Sequence, residues 1–443
     1  MKIAHFTNTF LPHVGGVARA VQTILEDQRR ARHRVLVVAP EFAEGTAPPR
    51  IESSVVRIPA FTHFNDSDFS VSIPFATLLS DRLSEFRADL IHTHHPFLLG
   101  DTALREASSR RVPLVFTHHT LYENYVHYLP VEGDSLAEFA ADVATRFANC
   151  CTAVVAPSQS VHDLIVSRGV TVPVHVIPTG IDTRELATGR NSRGRERWNL
   201  PAGSPVIGHL GRLAAEKNLP FLASALVLAL KKLPRARALI VGDGPQREEM
   251  TRIFAEGGLA SRVIFTGKLS GSALRDACAA MTVFAFTSTS ETQGLVLAEA
   301  MATSTPVVAL DASGVREVVV ERRNGRLLPA DTTPAQFSKA LVDLIGKADT
   351  LARYSAAALT TAKEFDRART SKRLLELYAT LVAEQRAKLE GETPFERAIM
   401  PVVDRIAIEG RLLADKTGAL VDALRSGPSD DVAKIAPPGS SAA

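Results

Sequence analysis

The stretch Val283–Ala309, VFAFTSTSETQGLVLAEAMATSTPVVA, decides the fold. A short apolar run, a polar loop, a helix-length apolar segment and a second apolar run follow one another, which is the pattern of strand, crossover helix and parallel strand. Working outward, the same alternation recurs upstream at Val206–His209, Ala238–Val241 and Val263–Phe265, with helical segments such as Leu219–Lys231 between the runs. An earlier series runs Ile3–Phe6, Val35–Ala39, Leu90–His92, Leu114–Phe116, Ala153–Ala156 and Val174–Ile177. Runs this short and this apolar suit parallel strands buried on both faces. A polar, arginine-rich stretch, Thr183–Arg197, separates the two series and reads as an interdomain linker. The expectation is therefore two doubly wound, Rossmann-like α/β domains facing across a cleft, one over 1–187 and one over 200–375, with a linker at 188–199. After Phe365 the pattern turns helical: a helix over 376–390 returning toward the first domain, then a helical extension over 391–443 whose final APPGSSAA is expected to be disordered.

The totals bound the function. At 443 residues the chain is too long for one ordinary core, and 51 basic against 48 acidic side chains leave a net charge of only +3, so nucleic acid is not suggested. Cys150, Cys151 and Cys278 have neither zinc-site nor disulfide spacing and read as buried small hydrophobes in a reducing compartment. The N-terminus MKIAHFTNTF has no signal-peptide apolar core, and no run approaches 18 apolar residues. A cytoplasmic protein, or one held peripherally at the inner face of a membrane, is expected.

In open α/β sheets chemistry lies just beyond the carboxyl ends of the strands. After the first run comes NTFLPHVGGV, where Gly15 and Gly16 let backbone N–H groups approach an anion at a helix N-terminus, or simply make a turn. The segment is not GxGxxG, which counts against a nicotinamide enzyme. After the first run of the second series, GRLAAEK offers Arg212 as a bidentate phosphate ligand and Lys217 as a point charge, or two solvated surface cations. The loop SETQGL then opens a helix carrying Glu299, with Glu291 ahead of it. Two carboxylates beside a phosphate site make sense as acceptors for sugar and ribose hydroxyls. Taken alone, they also fit an N-capping and a surface glutamate.

The run SETQGLVLAEAMATSTPVVALDASGVREVVVERRNGRLL resembles the donor-site signature of family four of the retaining glycosyltransferases, with its paired glutamates at Glu291 and Glu299. GRLAAEKNL, VGDGP at Val241–Pro245, IPTGID at Ile177–Asp182 and PHVGGV echo the same family over about residues 1 to 385. The resemblance implies the GT-B fold and a nucleotide diphosphate sugar, UDP-glucose, as donor substrate, with no cofactor. It implies that Arg212 and Lys217 hold the diphosphate, Glu299 the ribose, and Glu291 with the Gln293–Gly294–Leu295 backbone the transferred sugar, while Gly16, beside Gly15, approaches the distal phosphate. His119 matches the family's His-Thr position near the transferred sugar, so His119 and Glu291 are the catalytic candidates. The family mechanism is front-face substitution in which the leaving phosphate assists deprotonation of the acceptor, so no enzyme nucleophile is implied. The chain departs from the family pattern at Met281-Thr282, where Ala-Asp is common, and at Ala302–Thr305, which lacks a glycine before Pro306.

Five histidines, His92, His94, His95, His118 and His119, follow two neighbouring runs, but without HExxH or HxHxDH spacing a metal site is not expected. Asp66-Ser67-Asp68 sits in a polar aromatic loop and reads as solvated. The segment HHTLYENYVHYLP, with HTHHPFLLG before it, is similar to diacylglycerol glucosyltransferases, which makes Tyr122, Tyr125 and His127 candidates for an acceptor lipid. Arg29, Arg30, Arg32, Arg34, Arg105, Arg110 and Arg111 would offer a basic face to an anionic membrane, or are ordinary solvated cations. The competing readings are a soluble transferase acting on a sugar, inositol or small glycan, a binding protein that has lost the chemistry, and a histidine-metal hydrolase. The intact Arg212, Lys217, Glu291 and Glu299 set argues against the binding protein.

Overall fold

The computed structural model describes residues 1–12, 15–41, 54–61, 71–72, 76–123, 134–289 and 291–426. The chain divides into two compact units, one made of Met1–Ala156, Asp163–His175 and the chain from Glu376, the other of Pro157–His162 and Val176–Leu375. The first holds β1 (Lys2–Phe6), β2 (Arg34–Pro40), β3 (Val55–Ile58), an antiparallel pair of β4 (Ala60–Phe61) and β5 (Val71–Ser72), then β6 (Leu90–Thr93), β7 (Leu114–Thr117), β8 (Ala153–Ala156) and β9 (Val174–Val176). Its main sheet runs β3-β2-β1-β6-β7-β8-β9. The second unit holds β10 (Val206–Leu210), β11 (Arg237–Val241), β12 (Val263–Gly267), β13 (Val283–Phe286), β14 (Val307–Leu310) and β15 (Gly325–Leu328) in the order β12-β11-β10-β13-β14-β15. Each sheet reverses its order beside its first strand, so each is doubly wound.

The packing of the second unit shows why its runs become strands. Phe284, Phe286, Val307 and Ala309 point to one face, under the helices Gly271–Ala280 and Leu295–Ala302, while Val283, Ala285, Val308 and Leu310 point to the other, under Leu219–Lys232 and Pro334–Ile345. This alternation leaves no strand face for water, and truncating the fully buried Phe284 to alanine would cost about 3–5 kcal/mol. The unusual Met281 fits the same logic: a Cβ at Gly208 would lie 2.1 Å from its sulfur, so the thioether fills space that the glycine leaves. Beside it Thr282 Oγ1 accepts from Val206 N at 3.0 Å and aligns β13 with β10. β3 and β15, both only partly buried, carry no apolar run that marks them.

The stretch 188–199, read as a linker from its composition, folds onto the second unit. Asn191–Arg197 is a helix, and a Cβ at Gly194 would lie 2.2 Å from Asp276 O, so glycine permits this contact with Gly271–Ala280. The Asp276 carboxylate also accepts from Arg190 N at 2.8 Å. The helix Pro394–Ser426 belongs to the first unit and is tied to it by charge: Arg105 pairs with Glu409 at 2.6 Å, Arg111 with Asp404 at 3.2 Å and, just ahead of the helix, with Glu392, and Lys416 with Asp101 at 2.5 Å. Arg105 and Arg111 therefore fasten helices instead of forming an open basic face. The tail from residue 427 lies outside the described residues. Cys150, Cys151 and Cys278 are free thiols, the last two buried, and burial pushes Cys278 up to about 12.

Candidate active site

In the second unit the order reverses between β10 and β13, and the loops leaving these strands are laced together. Thr287 Oγ1 donates to Lys217 O and Asn218 O at 3.1 and 3.2 Å, and Ser288 Oγ to Glu216 O at 3.2 Å. These bonds bring Lys217 Nζ to 2.6 Å from Glu291 Oε1, with both side chains 16% exposed. Arg212 stands exposed on the same loop. That loop is held from behind by VGDGP: Leu213 N donates to Asp243 O at 3.0 Å, and a Cβ at Gly242, whose φ is +134°, would meet Gly211 O at 1.8 Å. Gly294, in the left-handed region at φ +67°, caps the helix Leu295–Ala302, and no side chain caps its N-terminus. Gln293 anchors that loop: its Oε1 accepts from Thr179 N at 2.8 Å and its Nε2 donates to Thr179 O at 2.7 Å. Glu299 lies one turn on, buried, and its charge helps raise Cys278.

The first unit reverses between β1 and β6, and here histidines converge. The parallel register puts His5 opposite His92, which no sequence spacing reveals. His5 Nε2 lies 2.8 Å from Gln28 Oε1 and its Nδ1 3.1 Å from His94 Nε2, while His94 Nδ1 lies 2.9 Å from His119 Nε2. His92 Nε2 lies 2.7 Å from Thr117 Oγ1, and Tyr378 OH 2.5 Å from His92 Nδ1. Burial lowers His5 to about 4, His95 and His119 to about 3, and His92 and His94 well below 6.5, so all are neutral at pH 7. The nitrogens of His5, His92 and His94 lie close enough to hold a metal ion, but every one already has a protein hydrogen-bond partner. Gly15 is extended at the N-cap of the helix Gly16–Arg30, and among the described residues a Cβ at Gly16 would meet nothing within 4 Å.

A sequence profile described as Glycosyltransferase Family 4 matches residues 14–185, and one described as Glycosyl transferases group 1 matches residues 204–347. A GDP-mannose-dependent alpha-mannosyltransferase of Mycolicibacterium smegmatis is 32% identical over 352 residues, 78% of this chain and 89% of that protein. The chain belongs to the family 4 glycosyltransferases. The alpha-monoglucosyldiacylglycerol synthase of Streptococcus pneumoniae is 28% identical over 334 residues, covering 74% of this chain and 75% of that one. Anabaena Alr3699/HepE, solved in complex with UDP and glucose, superposes with a TM-score of 0.69 at 25% identity over 86% of this chain and all of that one, consistent with the GT-B fold.

Within this glycosyltransferase the acceptor candidates fare unequally. Tyr122 is buried, its ring edge-on to Phe97 and to His118, so it serves the core and does not present an aromatic face. Tyr125, His127, the Asp66–Asp68 segment, His13 and Ser290 lie outside the described residues. Sequence reasoning missed His5, Gln28 and Tyr378; only sheet order and a helix near the far end of the chain bring them to the histidines. It also missed His209, a buried ring in the second unit whose Nδ1 lies 3.1 Å from Ala285 O. Among the described residues no helix is long and apolar enough to cross a membrane.

Proposed function

We propose that the chain is a retaining, metal-independent hexosyltransferase that moves glucose from UDP-glucose to a diacylglycerol-type lipid at a membrane surface. The observation that carries the donor half is the Lys217–Glu291 pair at the switch point of the second sheet. An ammonium has three donors, so Lys217 can hold a diphosphate oxygen while keeping Glu291, and the carboxylate retains lone pairs for a sugar hydroxyl. The cation and the helix N-terminus at Gly294 stabilise the charge that builds on the departing diphosphate, which supplies the stabilisation for which a metal would otherwise be needed. His119, neutral, hydrogen-bonds a hydroxyl of the transferred sugar or acceptor, and the leaving phosphate takes the acceptor proton.

The lipid half is supported by the helix Pro394–Ser426. One face is fastened by the ion pairs described above; Phe395, Ile399, Val403, Ile406 and Leu413 stand exposed along the other. An apolar stripe of this kind suits adsorption to a bilayer surface. A second reading, a mannosyl donor with a water-soluble acceptor, is favoured by the burial of Tyr122 and by the identity to the mannosyltransferase. The test is turnover of UDP-glucose and GDP-mannose against diacylglycerol vesicles and against soluble sugars and inositol. UDP-glucose consumption that requires vesicles is the expected result; GDP-mannose consumption with a soluble acceptor establishes the second reading.

A further inference from the structure

The histidines of the first unit form a directed chain. Gln28 Oε1, an acceptor only, lies 2.8 Å from His5 Nε2, so that nitrogen carries the proton and His5 Nδ1 does not. His5 Nδ1 then accepts from His94 Nε2, and His94 Nδ1 accepts from His119 Nε2. Gln28, His5 and His94 are buried and His119 is partly exposed, so the chain runs from the interior outward.

We propose that Gln28, His5 and His94 are positioning residues that hold His119 in a single tautomer, with the proton on Nε2 and Nδ1 unprotonated, so that the ring presents Nδ1 as a hydrogen-bond acceptor. The chain is an anchor and not a proton wire: its inner end is a neutral amide, which is not a base, so a proton entering at His119 has nowhere to go. Low pKa values along the chain agree with this, because a protonated ring at any position would break the head-to-tail order. This inference rests on the glycosyltransferase reading for its consequence but not for its test.

The experiment uses the full chain with ring-15N-labelled histidine, assigned with a His119→Asn control, beside steady-state UDP-glucose kinetics. Wild type should show His119 protonated at Nε2 and bare at Nδ1 throughout pH 6–8. His94→Leu should mix the tautomers and lower kcat roughly tenfold, the equivalent of one lost hydrogen bond, with UDP affinity unchanged. His94→Asn, which offers an amide oxygen near the position of Nδ1, should restore both. If His94→Leu loses its near-ultraviolet dichroism, Gln28→Met carries the test from the far end. A wild-type His119 protonated at Nδ1, or a tautomer and kcat unmoved in His94→Leu, overturns the proposal. Absence of turnover with every sugar nucleotide would fail the donor reading, while the nitrogen spectrum would still decide the tautomer.

Discussion

Neutralising Glu291 should strengthen the grip on diphosphate while weakening catalysis. At 2.6 Å and an effective dielectric of about 20, Lys217 and Glu291 attract one another by roughly 6 kcal/mol before desolvation. Most of that is offset by the water both groups lose, and a charge-assisted hydrogen bond of this kind is worth on the order of 1.5–3 kcal/mol net. In Glu291→Gln the amide leaves the ammonium undivided for the incoming phosphates, so UDP should bind several-fold tighter. UDP-glucose turnover should fall roughly ten- to hundredfold, because the sugar loses a carboxylate acceptor. Lys217→Met should do the reverse for the nucleotide, weakening UDP by roughly ten- to hundredfold with the fold intact. Calorimetric titration of UDP into the three proteins, with melting curves as the control for folding, gives the comparison. Equal UDP affinity in all three, or a loss in Glu291→Gln as large as in Lys217→Met, would refute the division of labour and leave the pair as a structural brace.

Glu299→Gln should raise the KM for UDP-glucose about tenfold with little change in kcat, measured by initial rates across donor concentration. Activity should survive exhaustive treatment with EDTA; a metal requirement rescued by one divalent ion would restore a ligand role to the histidines or to Asp66 and Asp68. Stability of the first unit should fall as the pH drops from 6.5 toward 4. His5, His118 and their neighbours are lowered by burial, so the unfolded chain takes up protons first, at up to about 1.4 kcal/mol per pH unit for each histidine. Denaturant midpoints across that range read the slope, and a flat profile would contradict the buried neutral network. Vesicle flotation should persist in high salt, since Arg105 and Arg111 are already paired, and should be lost in Ile406→Glu with Leu413→Glu; binding that salt abolishes and these variants spare would return the role to basic residues.

The strands were legible wherever both faces are buried, because a run such as Ala153–Ala156 or Val307–Leu310 then has no polar member. β3 and β15 escaped because Arg57 and Arg326 interrupt runs that are only four residues long. Lys217 and Glu291 were legible as site candidates from their motifs, but their mutual pairing was not, since it depends on β10 and β13 being neighbours across 74 residues. The histidines after β6 and β7 could be counted, yet their order of contact came from His5 and Gln28, which carry no motif. The Arg105 and Arg111 contacts were invisible for the same reason: their acids lie about 280 to 300 residues further on.

The first unit is assembled from both ends of the chain, and this sets a timetable for its synthesis. Tyr378, which closes on His92, follows it by 286 residues, and the whole second unit is translated in between. At ribosomal rates of roughly 5–20 residues per second, the first sheet waits some fifteen seconds to a minute for its last helices, while the second unit, continuous from Val176 to Leu375 apart from Pro157–His162, has every strand it needs before they emerge. A nascent chain stalled before residue 376 should therefore display a folded second unit beside a first unit whose Arg105 and Arg111 still lack their carboxylates, and whose helices Leu99–Arg110 and Asp134–Asn149 still lack the cover of Pro394–Ser426. During that interval the newborn enzyme is exposed to chaperones and proteases at its N-terminal half, and it becomes whole only when its C-terminal helices leave the ribosome.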